Sequence, residues 1–340
     1  MEPVDKRISG IDYARAFFSV CIVGIHAGYF SPSSIFSPDL YPIHEFGFSD
    51  FVNFYIFLLA VPAYLIISNY LFAMKPYNWT DLSKRLIRYI KLVIFWSITY
   101  NLIANHTILV PHSSIDAFLL LLSGNHTLYY FFVSLAILTI ITHFAKLLPN
   151  VLLILLIFLS VIIVGLLPIL SIKYQIYKLA ILWNPLNFLP YPFAAVLIYR
   201  LRNQNIKRLY WILISLLLIV FSFLAGMLDW TVYVNGRFFT VNLYAIPAYS
   251  RPSLVLLSIL TLILVVNIRI RMFPVIDFMS KQSLALYCLH FFFLPVGILI
   301  SGYCQLTGIA SWIVTVTSIL LISYAAALIL PSFFNKDLLR

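Results

Sequence analysis

Apolar segments of about 20 residues recur along the whole chain and are separated by short polar connections. A sliding window of about 19 residues places these segments at 11–30, 50–73, 84–104, 126–146, 150–170, 184–200, 208–227, 250–268, 280–301 and 308–331. A helix of this length crosses the hydrocarbon core of a bilayer. The pattern therefore predicts an all-α integral membrane protein with about ten transmembrane helices.

The composition supports this interpretation. Of the 340 residues, 63% are hydrophobic and 10% are charged, whereas soluble domains carry roughly 25% charged residues. The same figures exclude a disordered chain, a coiled coil and a secreted disulfide scaffold. No linker, charged block or low-complexity tract marks a second domain, so we expect residues 1–340 to form a single transmembrane domain.

The positive charges predict the orientation of the chain. Seventeen of the 22 Lys and Arg residues fall on one set of connections and one lies within the first span, which leaves Lys173, Lys178, Arg237 and Arg251 on the other set. Lys and Arg are enriched in cytoplasmic connections, so the first set, with both termini, is predicted to be cytoplasmic. Most of the net charge of +11 is explained by this orientation in the membrane. We therefore expect membrane lipids but no nucleic acid as partners.

The long connections on the predicted outer side carry four histidines, which are His44, His106, His112 and His126. Their spacing is not that of metal ligands, and we expect no metal site. The surrounding polar and aromatic residues are suited to meeting an external substrate.

The first span carries three polar residues on one face. Arg15 and His26 lie about 20° apart around a helix and about 16 Å apart along its axis, and Asp12 lies within about 40° of His26. An arginine at membrane depth normally faces a cavity or an anionic partner, which makes this stripe a candidate site. In the alternative interpretation, Asp12 pairs with Arg15 and His26 bonds to a neighbouring helix.

Two further features indicate chemistry. A second histidine within a span, His290, is far from His26 in sequence, and two such histidines indicate a shared site. The third span begins with the cations Lys84, Arg85 and Arg88, which lie on one side of a helix. This patch either sets the topology, with lipid phosphates as partners, or binds the phosphates of an anionic cytoplasmic donor.

These residues resemble the membrane-bound acyltransferase-3 family of bacterial surface-polysaccharide O-acyltransferases. In that family the first helix carries an Asp, an Arg three residues later and a His after ten more residues. Asp12, Arg15 and His26 fit this spacing, and Arg85 with Arg88 matches the family's Arg-x-x-Arg element. The resemblance implies a fold of ten membrane-spanning helices.

Three further segments carry the resemblance. Residues 61–70 resemble the family's Val-Pro-Leu-Phe-Phe-x-x-Ser-Gly-Tyr pattern, with Asn69 in place of Gly, and residues 283–290 fit its Ser-Leu-x-x-Tyr-x-x-His pattern. Residues 125–131 resemble its His-Leu-Trp-Phe stretch loosely, because a tyrosine takes the Trp position. The resemblance runs from residue 7 to about 295 and includes no appended hydrolase-like domain. We therefore expect the stand-alone form.

The resemblance implies transfer of an acyl group, usually acetyl, from cytoplasmic acyl-CoA to a sugar hydroxyl of a surface polysaccharide or its lipid-linked precursor. The enzyme would lie in the bacterial inner membrane, with acyl-CoA as donor substrate and no bound cofactor.

In this reaction His26 would act as general base, a role that suits imidazole near neutral pH. Arg15 would orient or neutralise the donor, and Asp12 would hold Arg15. The cations Lys84, Arg85 and Arg88 would bind the CoA phosphates. Side chains expected to position substrate or stabilise the developing oxyanion are Ser68, Tyr70, Tyr287 and His290.

Two alternatives stay open. His26 would be a nucleophile if the acyl group passes through an acyl-histidine intermediate. A polysaccharide or lipid-linked sugar transporter or flippase would share the helix count and the proline-broken segment 184–200. Against transport, the 11 acidic residues fall at termini, span ends or connections, whereas an ion-coupled carrier is expected to bury a carboxylate.

Overall fold

The computed structural model describes residues 7–28, 48–105, 113–124, 127–202, 207–235 and 247–330. The fold is all-helical, at 83% helix, with no strand among the described residues. The four histidines of the predicted outer connections, His44, His106, His112 and His126, lie outside these ranges.

The helices follow one another with short connections. We number them α1 (Ser9–His26), α2 (Phe48–Ala73), α3 (Trp79–Tyr100), α4 (Ser114–Leu122), α5 (Tyr130–Ala145), α6 (Asn150–Lys173), α7 (Pro190–Arg202), α8 (Arg208–Trp230), α9 (Pro252–Asn267), α10 (Pro274–Lys281), α11 (Ser283–Tyr303) and α12 (Gly308–Ile329). Within α2, Val52–Phe57 is a π-helical segment. Short π-helical segments also follow α3 and α8.

A helix lies at each of the ten predicted span positions. Among the described residues, six helices are long and apolar enough to cross a bilayer: α2, α3, α6, α8, α11 and α12. Two more, α5 and α9, are shorter apolar helices. The prediction of an all-α, multi-pass membrane protein is confirmed, while the count of ten spans and the orientation of the termini stay predictions.

Local sequence sets several helix ends. α3 begins after Asn78, whose side chain accepts a hydrogen bond from the Thr80 backbone N–H at 2.9 Å and so satisfies a free helical donor. Pro252 and Pro274 occupy the first positions of α9 and α10, where a missing N–H is tolerated. The segment predicted to be broken by prolines begins with a short 3₁₀ turn, Pro185–Phe188, before α7 starts.

The centre of the bundle is formed by α1 and α2. α1 packs against α2, α9, α10, α11 and α12, and α2 also packs against α5, α7 and α9. In α2, 67% of the apolar stretch is buried inside the protein, compared with 17% in α8 and 28% in α6 and α12. The outer helices therefore present apolar side chains to lipid, whereas polar side chains on α1 and α2 must face other helices or internal cavities.

Candidate active site

A cavity lies beside α1 at the level of Arg15. Its volume is about 260 Å³, and three arginines line it, Arg15 from α1 and Arg85 and Arg88 from α3. We call it the arginine cavity. The lining residues, all in the described part of the chain, include no acidic residue, and the other polar groups on its walls come from Ser68, Ser283, Tyr64, Tyr89 and Tyr287.

Arg15 is held in place at both its side chain and its backbone. Its Nη2 donates to the Ser283 hydroxyl of α11 at 2.9 Å. Its carbonyl oxygen accepts hydrogen bonds from Tyr64 at 2.6 Å and Ser19 at 2.7 Å. Ser283 is 2% exposed, so this buried hydroxyl fixes the guanidinium at the cavity wall.

Arg85 and Arg88 keep unsatisfied donors in the cavity wall. Arg85 Nη2 lies 3.4 Å from the Ser68 hydroxyl, and its guanidinium lies 5.2 Å from the centre of the Phe72 ring. Arg85 Nη1 and Arg88 Nε are buried without a hydrogen-bond partner among the described residues. Buried donors without partners are costly, and the oxygens of an anion would satisfy them. The arginine cavity therefore has the chemistry of an anion site.

A second cavity, also of about 260 Å³, lies further along α1. We call it the histidine cavity, because His26 lines it. Asn53 and Phe57 of α2, Tyr249 and Tyr287 also line it. Its walls carry aromatic and aliphatic side chains, in contrast to the cationic walls of the arginine cavity.

His26 and His290 lie next to each other. Their ring centroids are 5.2 Å apart and the rings are tilted by 33°. His290 is 1% exposed, and its Nδ1 lies 2.9 Å and 3.1 Å from the carbonyl oxygens of Tyr287 and Leu286. Carbonyl oxygens only accept, so Nδ1 carries the proton, and Nε2, which has no partner among the described residues, is left as an acceptor in the neutral ring.

Tyr287 is common to the two cavities. It lines both of them, and its hydroxyl donates to the carbonyl oxygen of Leu128 at 2.5 Å. Arg15 and His26 therefore line two cavities that have one tyrosine in common.

Asp12 does not hold Arg15 as expected. Its carboxylate accepts hydrogen bonds from Arg7 Nε at 2.6 Å and from the Ser280 hydroxyl at 2.5 Å. The expected pairing of Asp12 with Arg15 does not form, because α10 packs against α1 and brings Ser280 to this carboxylate. Asp12 thus joins α1 to α10 and lines neither cavity.

Two other expected site residues also lie outside both cavities. Tyr70 is 0% exposed, and its hydroxyl accepts a hydrogen bond from Arg202 Nη1 at 2.9 Å. Lys84 is exposed on α3. Of the remaining expected residues, Ser68, Arg85 and Arg88 meet in the arginine cavity.

Sequence reasoning missed several cavity residues, of which Ser283 and Asn53 bear most directly on the site. Ser283 begins a motif that was noted, but its role as the partner of Arg15 follows only from the packing of α11 against α1. Asn53 carried no signal, because a single asparagine in an apolar segment is unremarkable in sequence.

Comparison with known proteins supports the resemblance. Residues 8–330 match the acyltransferase-3 family, whose description is "Acyltransferase domain". No curated protein and no solved structure matches the chain. The family match covers nearly the whole chain and favours an enzyme over a transporter. The chain therefore belongs to the acyltransferase-3 family and is a membrane acyltransferase.

Proposed function

We propose that this protein transfers an acetyl group from cytoplasmic acetyl-CoA to a sugar hydroxyl of a surface polysaccharide or its lipid-linked precursor in the bacterial inner membrane. The observation that carries the proposal is the pair of cavities that share Tyr287 as a wall. One cavity suits an anionic donor, and the other presents a histidine to an acceptor.

The arginine cavity would bind the phosphate groups of the donor that lie next to its pantetheine arm, and its volume of about 260 Å³ leaves the nucleotide outside the cavity. CoA carries several phosphate groups, and the planar guanidinium groups of Arg85 and Arg88 suit phosphate oxygens. Lys84, exposed one turn before Arg88 on α3, adds positive potential at the approach to the cavity. Arg15, which lines the same cavity, would then orient the donor or neutralise its negative charge.

The proposed chemistry balances without a further reactant. The sugar oxygen attacks the thioester carbonyl carbon while His26 takes the hydroxyl proton. The new C–O bond forms, and negative charge appears on the former carbonyl oxygen. The C–S bond then breaks, and the imidazolium returns the proton to the departing thiolate, so that CoA leaves as the thiol. His290, whose ring centroid lies 5.2 Å from that of His26, would orient the His26 imidazole.

Purified variants test these roles. His26→Ala is expected to abolish acetyl transfer to the polysaccharide without changing membrane insertion, and retained activity would remove the general-base assignment. Arg85→Ala combined with Arg88→Ala removes two charged phosphate contacts, so the KM for acetyl-CoA should rise roughly 10- to 100-fold, more than the KM for the glycan. Lys91→Ala is the matched control, because Lys91 is exposed on the same helix and lines neither cavity. If the KM for acetyl-CoA is unchanged in the double variant, Arg85 and Arg88 contribute only to the topology of the chain.

A covalent route through acyl-His26 makes a separate prediction. Acid quenching of the enzyme during turnover with radiolabelled acetyl-CoA would trap label on the protein in the covalent route. The direct transfer proposed here predicts no protein-bound label at any time during turnover. Label that is present in the wild type and absent from His26→Ala would contradict direct transfer and support the acyl-His26 intermediate.

Membrane-impermeant thiol reagents test the proposed orientation. Cysteines introduced at 112 and 237 should react from the outer side only. The background should carry Cys304→Ala, because Cys304 is exposed whereas Cys21 and Cys288 are buried. Labelling from the cytoplasmic side alone would mean that the chain has the opposite orientation. The assigned side of donor entry would then also be wrong.

A further inference from the structure

The proposed chemistry gives no role to the amide of Asn53 in the histidine cavity. Asn53 is 1% exposed and lines this cavity together with His26. Its side-chain oxygen has no hydrogen-bond partner among the described residues. A buried polar group without a partner destabilises the fold, so its position at the cavity points to a partner that enters from outside the protein.

The backbone is irregular where Asn53 enters the cavity. The Leu58 N–H donates to the carbonyl oxygen of Asn53 at 3.0 Å, five residues earlier in the chain, which is the hydrogen bond of a π-helix. The segment Val52–Phe57 therefore contains more residues per turn than the α-helix that follows it, which changes the face on which Asn53 lies. Such short π-helical segments occur frequently at functional sites.

The rest of the histidine cavity suits a small, uncharged ligand. Its lining residues, all within the described ranges, include no Asp, Glu, Lys or Arg. Its volume of about 260 Å³ lies below the roughly 300–1,000 Å³ of sites for drug-sized molecules, which matches a group the size of one sugar ring. An anionic donor therefore has no charged partner here, whereas a neutral group with hydroxyls does have polar partners.

Aromatic rings pack together at one wall of this cavity. Phe57 stacks on Trp312 with ring centroids 5.9 Å apart and an angle of 13°. The indole N–H of Trp312 donates to the Gly24 carbonyl oxygen of α1 at 3.0 Å. This wall is therefore connected to the same helix that carries His26, and a flat ligand packed against it would have a defined position relative to the imidazole.

We infer that the histidine cavity is the acceptor subsite and that Asn53 selects the sugar hydroxyl that is acylated. This inference rests on the proposed function. The amide of Asn53 both donates and accepts hydrogen bonds, so it can bind the hydroxyl next to the attacking one and hold the attacking oxygen at His26. A change in configuration at that neighbouring carbon would move its hydroxyl away from the amide, so epimers would be distinguished.

Steady-state kinetics with small acceptors test the inference. The probes are p-nitrophenyl glycosides of glucose, galactose and mannose, with acetyl-CoA as donor; galactose and mannose each differ from glucose in the configuration of one hydroxyl. Wild type is expected to prefer one epimer and to acetylate one position, as read by NMR of the product. Asn53→Leu should raise the KM for the preferred glycoside about tenfold or more, bring the rates for the epimers closer together and leave the KM for acetyl-CoA unchanged.

Thermal unfolding separates this role from a structural one. Asn53→Leu replaces an unsatisfied amide by an apolar group of similar size, so the Tm should stay the same or rise. Asn187→Leu is the matched control, because its amide donates to the Ile181 carbonyl at 2.9 Å and accepts from the Ser250 hydroxyl at 2.5 Å, and its loss should lower the Tm. If the Tm of Asn53→Leu falls as much as that of Asn187→Leu, Asn53 has a structural role and the inference is overturned.

The outcomes distinguish this inference from the proposed function. Unchanged acceptor KM and epimer preference in Asn53→Leu would overturn the role of Asn53 and leave acyl transfer standing. A wild type that acetylates native polysaccharide but uses none of the glycosides saturably would overturn the single-sugar subsite alone. A wild type that transfers acetyl to no acceptor would overturn both.

Discussion

The close approach of α1 to α9 positions the candidate site, and Gly10 makes that approach possible. Gly10 lies in the first turn of α1. A Cβ atom at this position would lie 2.0 Å from the carbonyl oxygen of Val265 and 3.1 Å from that of Ile268. Real Cβ contacts essentially never fall below 3.0 Å, so Gly10→Ala requires α1 to move from α9 by about 1 Å. Both obstacles are backbone atoms, which cannot rotate out of the way.

The size of the effect follows from this displacement. Overpacking of a tight contact costs roughly 1–3 kcal/mol. Because α1 carries both Arg15 and His26, the same movement shifts two proposed catalytic groups, and a misplacement of about 1 Å can reduce a rate by about 100-fold. We expect Gly10→Ala to lower the Tm and to reduce kcat for acetyl transfer by roughly 10- to 100-fold.

Thermal unfolding in one detergent and initial rates of acetyl transfer measure both effects. Gly302→Ala is the matched control, because it is also a helical glycine and a Cβ there would meet nothing within 4 Å. This control should be neutral or stabilised by up to about 1 kcal/mol. If Gly10→Ala unfolds at the temperature of Gly302→Ala and keeps the wild-type rate, the reasoning from the α1–α9 contact is refuted.

Two further predictions concern the surroundings of the site. Ser283→Ala removes the acceptor of the Arg15 hydrogen bond and should lower kcat/KM for acetyl-CoA roughly tenfold. Ser283→Thr keeps a hydroxyl and should retain most of the wild-type kcat/KM. Equal values for the wild type and both variants would contradict this prediction. Asp277 lies on α10, outside the candidate spans, and hydrogen bonds from Lys281 and Arg7 lower the pKa of its carboxyl. A lowered pKa in the folded state means that the carboxylate stabilises the fold above its ordinary pKa near 4 and loses this effect as the pH falls. The wild-type Tm should therefore fall on acidification below about pH 5, and Asp277→Asn should show a smaller fall; parallel curves would contradict the ion pairs.

The sequence predicts those features that depend on local spacing. Helical periodicity places Arg15 and His26 on one face of α1 about 16 Å apart. In the structure they line two different cavities that share Tyr287, which this axial distance allows. His290 was expected to share a site with His26, and their rings are 5.2 Å apart. The first feature follows from spacing within one helix, whereas the second was inferred from the presence of a histidine in each of two apolar spans.

Features that depend on contacts between distant segments could not be predicted in this way. The angular pattern placed Asp12 on the face of Arg15, yet its carboxylate accepts from Ser280, 268 positions later in the chain. Arg15 in turn donates to Ser283, also 268 positions away. The packing of α10 and α11 decides both partners. Asn53 was missed for another reason, because a π-helical segment changes the face of its side chain without any signal in the apolar pattern.

The different charges of the two cavities argue for a fixed direction of donor binding. Three arginines around one cavity repel one another, and this repulsion falls when a ligand with several negative charges enters. The phosphates of CoA meet this requirement, whereas its acyl thioester is uncharged and gains nothing from Arg85 and Arg88. Electrostatics therefore favour a donor with its phosphates on α3 and its thioester towards Tyr287. Arg15 differs from the other two arginines because it shares α1 with His26, so one helix sets the position of the positive charge relative to the base. This arrangement fits the proposed roles, in which Arg15 orients the donor or neutralises its charge and His26 acts as the base.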